Sequence, residues 1–413
     1  MPDAAPATEL PLRANRAFHL LWSGSALSVL GLEVADVVWP LVILAVTGSP
    51  ASAGVFSAVQ LCTALVLGLP AGELADRVDR RLLMMAVEAV RAVSVGSVAV
   101  ALLLDELSLT HLLVVAVVIG AARPVSATCR MLMVRAVVPR SQLTTALTTE
   151  EVRNNAASLV GPALGGALYG ASRALPFGVM VAAFVLSALC VLLVRLRPGE
   201  SATPPRREEG PRLRQLTKGL AVLWSSPDLR GTTLFTAAMN TATAPLVLIV
   251  AVHLTAQKAS SGEIGIAVAG LAVGGLIGSA LIKPLRRFSP PLLMFSQLLV
   301  LAGLLCLMGL PIGPWWTGLL LVVIMLGVPT MRILADLVIF RQVPDEQRGR
   351  VMSAAGTLWG LGAAAGTLAA GLALDFFSAR ATLLAIAGAL ALVFLTGLFS
   401  PAFRGIRWPS DVD

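Results

Sequence analysis

Long apolar stretches recur through the whole chain and constrain its fold more than any other feature. A helix needs roughly 20 apolar residues to cross a bilayer core, and we count twelve stretches of about that length. Only 13% of the residues are charged and 57% are hydrophobic, whereas soluble domains carry roughly 25% charged residues. The alternating pattern of a membrane β-barrel is absent. We therefore expect an all-α membrane protein whose transmembrane helices cover residues 18–44, 52–71, 82–104, 112–134, 147–170, 176–195, 231–253, 263–282, 291–311, 315–339, 351–374 and 381–400.

Positively charged residues are distributed unevenly between alternate loops. If the N-terminus is cytoplasmic, the segments on that side carry 23 Lys and Arg residues, and the opposite loops carry only Arg173, Lys258 and Arg380. Cytoplasmic loops are enriched in such residues, so both termini are predicted to be cytoplasmic. The same asymmetry accounts for the pI of about 10.3 without a nucleic-acid partner. The 28 Arg against 3 Lys suggest a GC-rich bacterial genome, so we expect a multi-pass protein of a bacterial plasma membrane.

The two halves of the chain resemble each other. At an offset of 205 or 206 residues, glycines, prolines and basic residues recur in the same order. The matching pairs are Gly68 with Gly274, Gly72 with Gly278, Arg77 with Lys283, Arg80–Arg81 with Arg286–Arg287, Pro124 with Pro329, Pro139 with Pro344, Gln142 with Gln347, Gly161 with Gly366, and Gly166 with Gly371. Such duplication is typical of secondary transporters, in which two bundles rock about a site between them near the bilayer midplane. We predict a first bundle in residues 1–195, a cytoplasmic linker in 196–230 and a second bundle in 231–413.

The predicted linker begins as a charged, Pro-rich segment, "RPGESATPPRREEGPR", which is typical of a flexible connection. Its second part, "LRQLTKGLAVLW", has the spacing of an amphipathic helix. This helix is expected either to lie along the inner membrane surface or to be a solvated connector. Its apolar face would carry Leu213, Leu216, Leu220, Leu223 and Trp224.

A dense cluster of charges, "GELADRVDRR", lies between the second and third predicted helices. It resembles the signature loop of the major facilitator superfamily, G-x-L-a-D-R-x-G-R-[RK], although Asp79 stands where the family usually has Gly. The resemblance implies two pseudo-symmetric six-helix bundles. It also implies a latch in which Asp76 meets the N-terminal end of the eleventh transmembrane helix (residues 351–374) and holds the outward-facing state. A simple positive-inside anchor would explain the arginines but not Asp76. The matching residues are Gly72, Leu74, Asp76, Arg77, Arg80 and Arg81.

The fifth predicted helix contains "NNAASLVGPALGGALYG", which resembles the G-x-x-x-G-P-x-x-G-G element of drug antiporters. Gly161, Pro162, Gly165 and Gly166 match, and Ala157 replaces the first Gly. Small residues at this spacing allow close helix packing. "LADRVDRRLLM" and "VPDEQRGRVMS" are similar to the macrolide-efflux branch, whose relatives also export siderophores. The resemblance implies export of a small amphipathic molecule by proton antiport.

Two carboxylates, Glu33 and Asp36, lie inside the first predicted helix in "LGLEVADVVWP". Charged groups inside a membrane are costly and usually functional, and a spacing of three places both on one helix face. Neighbouring carboxylates repel each other, which favours protonation of one of them. Glu33 would lie about 22 Å and Asp36 about 27 Å from the inner boundary. We therefore predict a proton-coupling pair in which Glu33 is the carrier, with hydration at the outer mouth as the alternative for Asp36.

Other charged residues within the spans have more than one candidate role. Arg123 is predicted near mid-depth, where it would pair with Glu33, hold an anionic group of the substrate, or form a purely structural ion pair. Glu88 with Arg91, and Arg332 with Asp336, have the spacing of intrahelical pairs. Both pairs are expected towards the cytoplasm, in gating or structural roles.

Uncharged polar side chains within the spans are the remaining candidates for substrate contact. Gln60 and Asn240 are candidates for substrate contact, because their amide side chains could hydrogen-bond a substrate. Interhelical hydrogen bonds are the plainer account of both.

Several other classes of protein lack support in the sequence. There is no G-x-x-x-x-G-K-[ST] motif for ATP, and the three His residues are scattered, so we expect neither an enzyme nor a metal or other cofactor. The expected partners are a small-molecule substrate, protons and the lipid bilayer, with the chain acting as a monomer. A proton-coupled nutrient symporter and a non-transporting scaffold or sensor of the same fold remain the alternatives.

Overall fold

The computed structural model describes residues 12–194 and 212–399. The first bundle consists of α1 (Arg16–Thr47), α2 (Pro50–Arg77), α3 (Arg80–Leu103), α4 (Leu109–Val137), α5 (Leu143–Ala171) and α6 (Leu175–Leu193). Side chains at Ser49, Asp79 and Ser108 cap α2, α3 and α4 by accepting a hydrogen bond from an amide of the first turn. Polar caps thus set the point at which each apolar helix begins.

A connecting helix, α7 (Arg212–Ser225), precedes the second bundle. Two predicted spans of this bundle are each divided into two helices, at Pro245 and at Leu326–Gly327. Pro245 and Pro329 lie 205 residues after Pro40 and Pro124, so both halves place a residue that lacks a backbone N–H in the same spans. In the first half, α1 and α4 remain continuous helices around these prolines. The helices are α8 (Pro227–Thr243), α9 (Leu246–Ala256), α10 (Ser261–Ala280), α11 (Ile282–Leu285), α12 (Pro290–Met308), α13 (Pro314–Met325), α14 (Val328–Gln342), α15 (Asp345–Phe376) and α16 (Ala379–Phe399).

Eleven helical stretches in the described ranges are long and apolar enough to cross a membrane, and each overlaps a predicted span. The fifth predicted span, α5, lacks such an apolar window because it carries Glu150, Glu151 and Arg153 and many small residues. Gly161 in α5 packs against α1, and Gly166 packs against α10. A helix that faces protein on both sides needs less apolar surface than one that faces lipid, so α5 completes the predicted set of twelve.

The connecting helix α7 packs against the second bundle. Leu223 is fully buried, and a Cβ at Gly219 would overlap the carbonyl oxygen of Arg350 in α15. The predicted amphipathic helix is therefore present, but its apolar face is covered by α15 rather than by lipid headgroups or water, and Trp224 is exposed. Residues 195–211 and the side chain of Leu213 lie outside the described part of the chain.

The two bundles meet along α2 with α15 and along α5 with α10. Inner and outer ends are named here in the orientation that the arginine distribution predicts. At the outer ends, a Cβ at Gly54 would lie 2.9 Å from the Cα of Gly371, and a Cβ at Gly166 would overlap the carbonyl oxygen of Ser261. Near the inner end of α2, a Cβ at Gly72 would meet no atom within 4 Å. In the predicted orientation, this combination of a tight outer end and a loose inner end corresponds to a structure that is closed to the outside and faces inward.

Candidate functional site

A cavity of about 270 Å³ lies inside the first bundle, and all six of its helices contribute to the wall. Its wall combines apolar side chains with five charged ones. The lining residues are Val29, Leu32, Glu33, Ala35, Asp36, Trp39, Gln60, Arg91, Ile119, Arg123, Ser126, Ala127, Arg130, Asn154, Met180 and Phe184.

The lining of this cavity comes entirely from the first bundle, whereas the duplication predicts a site between the two halves. The second half of the repeat lacks the charged residues that line this cavity. At the offset of 205 residues, the positions of Glu33, Asp36 and Arg123 are occupied by Ala238, Thr241 and Val328. The second half keeps the packing glycines and prolines of the repeat but has no charge at these three positions.

Glu33 faces the interior of the bundle. The hydroxyl of Ser158 on α5 donates a hydrogen bond to its Oε1 at 2.8 Å. Gly161 lies against Glu33 so closely that a Cβ there would overlap the Cβ of Glu33. The glycine therefore allows α5 to approach α1 near the carboxylate and to bring Ser158 within hydrogen-bonding distance.

Asp36 and Arg123 are both exposed to the cavity. Glu33 lies 14 residues before the outer end of α1, and Arg123 lies 14 residues after the outer start of α4, so both lie about 21 Å from that end. Within the described ranges, none of these three side chains forms an ion pair at 4 Å or less. The predicted contact between Arg123 and Glu33 is thus not made in this conformation, although both groups share one cavity at one depth.

A buried ionic cluster forms part of the cavity wall, since Arg91 and Ser126 both line it. The side chains of Glu88 and Arg91 are 0% exposed and lie 3.3 Å apart. Ser28 donates to both carboxylate oxygens of Glu88, at 2.9 and 3.1 Å, and Arg91 donates to Ser126 at 2.9 Å. The cluster joins α1, α3 and α4. Glu88 lies 8 residues from the inner start of α3, and Arg91 lies 11 residues from it in a helix of 24 residues. The pair therefore extends from the inner half of the helix to its middle, and its gating or structural role stays a prediction.

Arg130 is a cavity residue that sequence analysis missed. It lies two helical turns from Arg123 on α4, and its Nε is buried without a hydrogen-bond partner among the described residues. Arg130 falls inside the predicted span 112–134, four residues before its inner end, but no role is predicted for it from the sequence. Because α4 continues to Val137, Arg130 lies further from the helix end than the predicted span implies. Asn154 also lines the wall. Asn154 lies in the polar run "EEVRNN" of α5, and Ser158 is one of several small residues that follow it. No pattern in the sequence distinguishes either as a cavity residue.

Of the two predicted uncharged contacts, only Gln60 lines the cavity. The side chain of Asn240 donates to the carbonyl oxygen of Thr236, one turn back on the same helix, at 2.8 Å. The predicted pair of Arg332 and Asp336 lies elsewhere, with 3.9 Å between Nε and Oδ2. Arg332 also stacks over the ring of Trp359, with its Cζ 5.5 Å from the ring centroid.

The signature sequence forms the end of α2 and the start of α3. Contacts within the first bundle hold this segment. Arg77 pairs with Glu73, and Arg81 donates to the carbonyl oxygen of Val191 at the inner end of α6, at 3.2 Å. Asp79, which replaces the usual Gly, caps α3 by accepting from the amide of Leu82 at 2.9 Å. The side chain of Asp76 lies outside the described part of the structure, so its role as a latch stays a prediction.

The Gly-Pro-x-x-Gly-Gly element of α5 lies between two helices. On one side, Gly165 faces α1, where a Cβ would lie 2.7 Å from the carbonyl oxygen of Val34. On the other side, Gly265 of α10 lies so close to α5 that a Cβ there would overlap the carbonyl oxygen of Pro162. The element thus joins the wall of the cavity to the contact between the bundles.

Two helical bundles related by an internal repeat, with an ionisable cavity at membrane depth, define a secondary transporter. The chain belongs to the Major Facilitator Superfamily, whose family model matches residues 21–252 and 231–407.

One relative and two solved structures of similar length support this assignment. The chain is 25% identical to the multidrug efflux pump Tap of Mycolicibacterium fortuitum over 384 residues, covering 91% of this chain and 93% of that one. A bacterial homologue of the lysosomal transporter Spinster, in an inward-facing and unoccupied conformation, superposes with a TM-score of 0.76 at 16% identity, covering 96% of this chain and 99% of that one. A single-residue mutant of the nucleoside transporter NupG superposes with a TM-score of 0.75 at 12% identity, covering 93% of this chain and 100% of that one.

Proposed function

We propose that this protein exports a small amphipathic molecule from the bacterial cytoplasm in exchange for protons, by alternating access of one cavity to the two sides of the membrane. The observation that carries the proposal is that Glu33 and Asp36 line a single cavity together with Arg123. A carboxylate at membrane depth that reaches a water-filled cavity is well suited to carry a proton.

We propose that the coupling of proton and substrate movement depends on the protonation state of the carboxylates in the cavity. When Glu33 is ionised, the Ser158 hydroxyl and the guanidinium groups of the cavity stabilise its charge. A proton gained from outside neutralises that charge and makes the closed, low-dielectric cavity less costly. One proton moving down 100 mV supplies about 2.3 kcal/mol, which corresponds to an accumulation ratio of about 40-fold.

The wall of the cavity supports an amphipathic substrate. Leu32, Ile119, Met180 and Phe184 form apolar surface, whereas Gln60 and the charged groups supply polar contacts. Ligand sites typically combine a mostly apolar wall with a few polar groups that fix orientation. This composition agrees with the drug-like, macrolide-like or siderophore-like molecules that the family resemblance suggests.

The direction of transport is proposed to be outward. The relative named as a multidrug efflux pump matches almost the whole chain, and the Gly-Pro-x-x-Gly-Gly element resembles that of antiporters. An uptake symporter would use the same cavity, but the proton and the substrate would then move in the same direction. The direction of the proton therefore distinguishes the two.

Transport into inverted membrane vesicles with an imposed pH gradient tests the proposal. Macrolides, siderophores and hydrophobic dyes would be scanned for uptake that a protonophore abolishes. Glu33→Gln is expected to lower the proton-driven uptake at least tenfold, while the protein still inserts and folds. Glu106→Gln removes an exposed acid at the outer surface and serves as the matched control, with unchanged uptake.

Other outcomes would contradict the assignment at different levels. Normal transport by Glu33→Gln with loss in Asp36→Asn would move the proton carrier to Asp36. Accumulation driven by a proton gradient of the opposite sign would identify a symporter.

A further inference from the structure

The carboxylate of Asp375, on α15 of the second bundle, reaches the start of α2 in the first bundle. Ser49 Oγ donates to Asp375 Oδ2 at 2.8 Å, and the backbone N–H of Ala51 donates to Oδ1 at 2.9 Å. Ser49 is the N-cap of α2, and Ala51 is the second residue of that helix. The first amides of a helix have no acceptor within it, so Asp375 supplies an acceptor from the other half of the molecule.

The position of Asp375 is unfavourable within its own helix. It is the penultimate residue of α15, which ends at Phe376. A negative charge at a helix C-terminus is repelled by the partial negative charge of the last carbonyls, whereas the same charge at an N-terminus is stabilised. The contact with the N-terminal end of α2 therefore offsets the unfavourable position of this acid in α15.

The same short pattern ends both helices. "GELAD", residues 72–76, ends one residue before the last residue of α2, and "GLALD", residues 371–375, ends one residue before the last residue of α15. In each pattern a Gly precedes the Asp by one helical turn.

Only one of the two glycines is engaged in this conformation. A Cβ at Gly371 would lie 2.7 Å from the Cα of Gly54 and 3.0 Å from the carbonyl oxygen of Pro50, so the glycine allows α15 to touch the first turn of α2. A Cβ at Gly72 would meet nothing within 4 Å.

We propose that Asp375, Ser49 and Ala51 form an outer latch that stabilises the inward-facing state. In this arrangement α15 ends in an acid that contacts the start of α2. The outer latch is the counterpart of the inner one that Asp76 is predicted to make in the outward-facing state. Asp375 is a positioning residue for the conformational cycle, and its role does not depend on which molecule is transported.

Distances between spin labels at the outer ends of the bundles test the outer latch. Leu104→Cys and Ile312→Cys place labels at exposed outer positions of the first and second bundles, in a background whose four native cysteines are replaced. Asp375→Ala is expected to raise the ratio of outward-open to inward-facing molecules about fivefold without substrate, which corresponds to ~1 kcal/mol, the typical cost of losing a helix cap. Asp375→Asn keeps an acceptor but not the charge and should give a smaller shift, and Glu106→Gln should give none.

High salt tests the outer latch in the protein that keeps Asp375. Screening of an exposed charge by 1 M salt should shift the latched protein towards the outward-open state and leave Asp375→Asn unchanged. Distance distributions that are the same in Asp375→Ala, Asp375→Asn and Glu106→Gln would overturn the proposal, as would a salt response in Asp375→Asn equal to that of the unaltered latch. Because these populations are measured without substrate or a proton gradient, the result is independent of the transport assays on Glu33.

Discussion

At the scale of single residues, the environment of Glu33 depends on its neighbour Gly161, which has no side chain. Gly161 brings α5 so close to α1 that Ser158 reaches the carboxylate. The charge on Glu33 is costly at this depth in the membrane, and the hydroxyl offsets part of that cost. The glycine thus links helix packing to the chemistry of the cavity.

We expect Gly161→Val to lower stability and transport together. Its side chain would overlap Glu33 and force α5 away from α1, at a cost of about 1–3 kcal/mol for an overpacked site. The melting temperature of the purified protein and its vesicle transport measure the two effects. Gly178→Val, at a helical glycine whose Cβ would meet nothing within 4 Å, is the matched control and should change neither. Equal behaviour of the two variants would show that the contact at Gly161 has no such importance.

At the scale of helices, α7 is the part of the joining segment that the structure describes, and it packs on the second bundle. The contact of α7 with α15, through Gly219 and buried Leu223, makes this helix part of the second bundle. We therefore expect α7 to move with the second bundle when the two halves rock.

Gly219→Leu is predicted to release α7 from α15. The new side chain would overlap the carbonyl oxygen of Arg350, and the helix would open locally more often. Cleavage by chymotrypsin at the exposed Trp224 should become roughly tenfold faster, on the scale expected of an overpacked contact. Ala221→Leu introduces the same side chain at an exposed position of α7 and should leave the rate unchanged. An unaltered rate in Gly219→Leu would mean that α7 does not depend on this contact.

At the scale of the whole molecule, the outer ends of the bundles are in contact, so the cavity should be reached from the cytoplasm. Ala127 lines the cavity and is exposed. We expect Ala127→Cys, in the background without native cysteines, to react with a membrane-impermeant thiol reagent at least tenfold faster from the cytoplasmic side. Leu104→Cys, at an exposed outer position, should react only from the outside and checks the orientation independently. Faster labelling of Ala127→Cys from the outside would contradict the inward-facing assignment.

Much of the architecture follows from one-dimensional patterns. Apolar stretches predicted the helices, because a bilayer requires each span to be long, apolar and internally hydrogen-bonded. The repeat predicted that Pro124 and Pro329 occupy equivalent spans, and they lie in α4 and α14. Glu33, Asp36, Arg123 and Gln60 could be selected as candidates because polar groups are rare at membrane depth.

What the sequence determined by itself is therefore local: where the chain crosses the membrane and which polar residues lie at depth, whereas the side that its loops face stays a prediction. Only the tertiary structure decided which of these residues meet. It joined Ser158 to Glu33, separated Arg123 from direct ion pairing, placed Arg130 in the wall and left Asn240 out of it. The physical reason is that such contacts depend on the rotation of each helix and on how closely glycines let two helices approach, and these follow from packing among all the helices at once.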